Sequence, residues 1–145
     1  MAAPPVRQRA TYPLLHPLHA ILLAFPIALF SAALATDITY LNSAEIQWTN
    51  FSQWLIAGGC LMGGLALLWA IVLAARTGGA GRAVLYLLLL AAMFAAGLVN
   101  SFQHSRDGWS SVETTGLALS VLSTLLALAA GWVGFSGARP AGERP

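Results

Sequence analysis

Lysine is absent from this chain of 145 residues, only one cysteine is present, and charged residues of every kind make up 8% of it. Ordinary globular chains are about one quarter charged, so a depletion this deep excludes a water-soluble domain and makes lipid the main contact of the surface. The lone Cys60 lies inside an apolar run, which excludes an intrachain disulfide and leaves the redox compartment open. The formal charge of +2 comes from seven arginines scattered at segment ends. Without a basic patch, nucleic-acid binding is excluded as well. No Walker loop, HExxH, CxxC, GxSxG or GxGxxG spacing occurs, and no charge sits in the middle of an apolar run, where an ion carrier keeps one.

What remains is hydrophobic: 58% of the residues, with a mean hydropathy of +0.74. Four runs are each long enough for the roughly twenty residues that a helix needs to cross a hydrocarbon layer. They cover about 14–40, 51–75, 83–103 and 112–135, between polar tails at 1–13 and 138–145. That length permits one domain. The first run sets the pattern, since only His19 and Ser31 interrupt it between Leu18 and Ala35. A spanning segment must satisfy its own backbone, so it is helical, and Pro26 bends it without ending it. His19 and Asp37 are eighteen residues apart, five whole turns and about 27 Å, which places them on one face at opposite membrane surfaces. The fold class that follows is all-α, an integral membrane four-helix bundle with antiparallel up-down topology. The two halves show no sequence repeat. A cleaved secretory signal ending near Ala33, Leu34 and Ala35 is the competing reading of the first run, but the run exceeds the usual signal core of about 7 to 15 residues.

Arginine placement orients the chain. Arg7, Arg9, Arg76, Arg82, Arg139 and Arg144 fall on one side of a four-span topology and only Arg106 on the other, so both termini are expected in the cytoplasm. A polar loop is expected over 36–50, and Asp37 and Glu45 within it then face outward with Asp107 and Glu113.

Chemistry can sit at either rim. His16 and His19, three apart at the inner end of the first span, can ligate a metal or haem or hold a quinone headgroup; their structural reading is a pair of interfacial side chains behind Pro17 at the first helical turn. His104 belongs to the outer rim, about 30 Å away. A bis-histidine haem within one subunit would therefore need both ligands from one helix face, which cannot reach opposite sides of the ring. The richer constellation is outer: Asn100, Gln103 and His104 at helical spacing, then Arg106, Asp107 and Trp109, with Asp37 arriving from the first span. Such a set can bind a quinone, relay protons or contact a membrane or periplasmic partner. The structural reading has Arg106 paired with Asp107 or Asp37, Trp109 anchored at the headgroups, and Ser110 or Ser111 capping the fourth helix. Gly59 and Gly63 make a small-residue stripe suited to close packing within the bundle or to a homo-oligomer contact.

The opening His16, Pro17, Leu18, His19 with Phe25, Pro26 and Ile27, the Asp37 that ends the first span, and the run from His104 to Ser120 resemble a bacterial inner-membrane family. It is known only as domain of unknown function twenty-two thirty-one. The resemblance covers about Leu14 to Gly134 and implies a four-helix membrane protein with no established activity to transfer. Many members read HPLHP and carry a further histidine at the start of the third span. Here Ala20 replaces the second proline and no histidine lies between Ala83 and Tyr86, which weakens a cofactor role for the inner histidines. The expectation is a non-enzymatic accessory or anchor subunit of a quinone-linked respiratory or dehydrogenase system, with a small transporter or proton conductor, or a purely structural membrane protein, as the alternatives.

Overall fold

Each apolar run is a helix because nothing in lipid can satisfy a backbone amide except the next turn. The computed structural model describes residues 15–78, 81–106 and 112–136. They form α1 (Pro17–Ser43), α2 (Ile46–Arg76), α3 (Gly81–His104) and α4 (Thr114–Phe135), all four long and apolar enough to span a bilayer. Pro26 stays inside α1, and Pro17 occupies its first turn.

The polar stretch between the first two runs is helix almost throughout, where a loop over 36–50 was expected. Thr39, Asn42 and Ser43 return their side chains to the carbonyls four residues back, so the segment keeps its helical bonds outside the apolar run. The turn shrinks to Ala44 and Glu45. Ala44 adopts φ 56 and ψ 18 as the left-handed cap, donating its N–H to the Tyr40 carbonyl at 2.7 Å. At the other loop, Glu113 precedes α4 without a side-chain cap, whereas Ser110 and Ser111 lie outside the described residues.

Which face turns inward is set by a repeat near 3.5 residues. On α1 the buried positions are His19, Leu23, Pro26, Phe30, Ala33 and Asp37, alternating steps of four and three. α3 repeats the rhythm with Tyr86, Leu90, Met93, Gly97, Asn100 and His104. Large apolar residues such as Leu18, Ile21, Leu88 and Leu125 point outward.

The helices form a ring in which α1 and α3 each pack on α2 and α4, and the diagonal backbones stay apart. Contact order gives direction. Moving up α1, Pro26 and then Phe30 face Gly63 and then Gly59, so α2 descends. Across the diagonal, side chains alone meet: His19 with Tyr86, Phe30 with Gly97 and Asp37 with His104, each pair 67 residues apart. A constant offset means that α1 and α3 run in the same direction and at the same level. α2 and α4 repeat one another in similar fashion, with Ser52 on the Ala33 carbonyl matching Ser120 against Asn100. The halves thus repeat in inward register, although the letters show no repeat.

Phe30 fills the centre, its ring between two glycines: a Cβ at Gly59 would stand 2.8 Å from it, and one at Gly97 2.7 Å. Gly63 is closed over by Met93. The Gly59/Gly63 stripe therefore faces the bundle interior and is not open to a second copy. Close approach of α2 to α1 and α3 needs both positions without side chains.

Two outcomes follow. Ala44→Gly should raise stability in detergent unfolding by about 1 kcal/mol, because the left-handed cap strains a side chain and not a glycine. Gly97→Ala should lower it by about 1–3 kcal/mol through overpacking, with part of the loss restored by Phe30→Leu in the same chain.

Candidate functional site

The inward seam delivers polar groups to two levels of the bundle. At the end where α3 stops, α1 brings Asp37, α3 brings Asn100 and His104, and α4 brings Ser120, all of them buried. His104 Nε2 lies 3.0 Å from Asp37 Oδ1. Ser120 donates its hydroxyl to Asp37 Oδ2, and Asn100 Nδ2 donates to Ser120 Oγ at 2.8 Å. His104 Nδ1 contacts the backbone carbonyl of Asn100 at 3.1 Å. The four contacts close a ring through three helices.

This ring constrains its protons. A carbonyl only accepts, so Nδ1 of His104 carries a hydrogen. The Nε2 to Oδ1 contact then holds one further proton, residing either on the imidazole or on the carboxyl. In both cases the pair is neutral as a unit, which is the form that lipid burial tolerates. Chemically it is a proton held between two bases, near one membrane surface. One group in the ring is left over: Asn100 Oδ1 is buried and has no donor among the described residues.

A second cluster forms at the opposite end, eighteen residues earlier on both α1 and α3 and hence about 27 Å away. Tyr86 Oη lies 3.0 Å from His19 Nε2. The rings of His16 and His19 pack on Trp69 of α2 with centroids 5.8 and 5.4 Å away. His16 is exposed, and its Nδ1 accepts the Leu18 N–H at 3.3 Å, capping α1. His19 is fully buried, and its Nδ1 has no hydrogen-bond partner among the described residues.

Of the outer residues singled out from sequence, the fold gathers Asp37, Asn100 and His104. Arg106 stays exposed, with its guanidinium 3.4 Å from Gln103 Oε1. It does not pair with Asp37, because Asp37 lies on the inward seam and its oxygens are engaged by His104 and Ser120. Asp107 and Trp109 lie outside the described residues. At the end where α1 begins, His16 and His19 share Trp69 as expected of neighbours, but only His16 is exposed; His19 turns into the core because it holds a seam position. Ser120, Tyr86 and Trp69 were not foreseen as site residues. Tyr86 was within reach, since it precedes His104 by the same eighteen residues that separate His19 from Asp37.

Asp37→Ala should destabilise the bundle by about 3–5 kcal/mol, the cost of leaving a buried charged or hydrogen-bonding partner alone. Replacing Asp37 and His104 together by leucines should cost clearly less than the sum of the single losses. Unfolding of the purified variants in detergent reads both.

No curated protein and no solved structure matches the chain. A family model described as a predicted membrane protein, DUF2231, matches residues 15–141 and so takes in all four helices. By that match, and with four helices of spanning length, the chain belongs to the DUF2231 family of predicted membrane proteins.

Proposed function

We propose that this chain is a bacterial inner-membrane protein with both termini in the cytoplasm, serving a quinone-linked respiratory or dehydrogenase system as a small subunit with no reaction of its own. Its working site is the outer ring of Asp37, His104, Ser120 and Asn100, which meets the headgroup of a quinone. The orientation follows from six arginines on one side and Arg106 alone on the other.

The observation that carries the reading is the buried Asp37 and His104 pair in contact at 3.0 Å, a contact that needs a proton on one of the two. Ionisable groups inside a membrane bundle mark ligand or proton sites by default, because their burial is costly. A quinone carbonyl is an acceptor for such a proton, and a quinol hydroxyl is a donor that the unpartnered Asn100 Oδ1 lacks. Conduction of protons through one bundle is less well supported. Between the His19 and Asp37 levels the axis is filled by Leu23, Leu90, Met93 and Phe30, which offer a proton nothing to bind.

Protein purified from native membranes should carry quinone, measured by solvent extraction and chromatography. His104→Ala and Asp37→Asn should each lower that content about tenfold, the worth of one hydrogen bond to a charged group. Unchanged quinone in folded variants would falsify the reading, and proton flux in liposomes that vanishes in the same variants would favour conduction.

A further inference from the structure

Three grooves run along the lipid-facing seams between neighbouring helices. Among the described residues the α1/α4 groove carries no charge, its polar groups being the Trp132 indole and Ser136, and the α2/α3 groove is apolar except for Cys60. The α1/α2 groove differs in having a cation at one end. Leu22, Leu65 and Leu68 line it toward the membrane interior, Trp69 and Val72 follow, and Arg76 in the last turn of α2 closes it. From Leu65 to Arg76 is eleven residues, about 16 Å along the helix.

We propose that this groove binds one anionic phospholipid, its phosphate on the Arg76 guanidinium and an acyl chain along Leu65, Leu68 and Val72. A lipid-facing groove is filled by lipid whatever else happens, so the question is which headgroup it selects. The change from apolar floor to cationic end matches an amphiphile lying along the helix with its head at the rim. Arg76 is exposed, and its side chain makes no hydrogen bond or ion pair among the described residues. An arginine fork in that state suits the paired oxygens of a phosphate. Trp69, the wall of the groove, is held from behind by the rings of His16 and His19, so the site needs little ordering when a chain arrives. At about 460 Å³ the groove lies in the range of small-ligand sites, roughly 300–1,000 Å³. The proposal is independent of the quinone reading, since the outer ring lies at the other end of the bundle.

Native mass spectrometry of the purified full chain, offered phosphatidylglycerol or phosphatidylethanolamine with the same acyl chains, tests it. One phosphatidylglycerol should be retained in preference, and R76Q should reduce that preference about fivefold, the factor one basic residue provides at an anionic surface. R76K should keep most of it. At one bound phosphatidylglycerol per chain, brominated acyl chains should quench tryptophan emission, and W69F should remove the largest part of that quenching, whereas W54F and W132F, at exposed positions away from the groove, should not. L68W, which fills the groove without touching the charge, should expel the lipid even if R76Q disturbs folding. Equal retention of the two lipids, a preference that survives R76Q, or quenching unchanged in W69F would overturn the proposal. Displacement of the lipid by inorganic phosphate alone would assign the site to a free anion and overturn it too.

Discussion

The closed ring of hydrogen bonds around Asp37 is the contact on which the half of this bundle at the end of α3 depends. Apolar packing alone chooses a register poorly among four helices whose outward flanks are apolar throughout, because a leucine is as well solvated by lipid as by another helix. A carboxyl with no partner in that medium is far more costly, so the arrangement that supplies His104 and Ser120 to Asp37 is strongly preferred. Satisfying the ring sets the height of α1 against α3 and of both against α4. The His19 and Tyr86 pair does the same at the opposite end, and Phe30 between Gly59 and Gly97 sets the distance in the middle.

These three levels share one offset between α1 and α3, which makes the bundle two similar hairpins in matched register. The two halves differ in what they place at matched positions: aspartate against histidine, histidine against tyrosine, phenylalanine against glycine. Each pair is complementary where identical residues would not be. Two aspartates sharing one proton at this level would leave a net negative charge in lipid, and two phenylalanines could not fit between α2 and α4. Such complementarity explains why no repeat is visible in the letters while the geometry repeats.

Much of the candidate site was legible in the chain, and the reasons for what was not are specific. Asp37, Asn100 and His104 could be brought to one rim by counting turns and spans. Their mutual bonding could not, since the same count leaves the rotation of each helix about its axis free. In a soluble bundle an apolar stripe would supply that rotation. Here the outward face is as apolar as the inward one, so the stripe is missing and the seam is marked instead by small and polar residues: Ser52, Gly59 and Gly63 on α2, and Gly116, Ser120, Thr124 and Gly131 on α4. The expected 36–50 loop failed for a related reason. Polarity there marks departure from lipid, and helices can continue past the membrane when their side chains bond their own carbonyls.

By itself the chain determined its solvent, the number of its helices and the opposite ends at which His19 and the pair of Asp37 and His104 sit, because hydrophobic length and residue count are one-dimensional quantities that the bilayer thickness reads directly. Only the tertiary structure decided which groups touch. Ser120 enters the ring around Asp37, Arg106 stays outside it, and the glycine stripe closes inward, because each of those outcomes depends on helix rotation, which lipid leaves undetermined until the buried polar groups find one another.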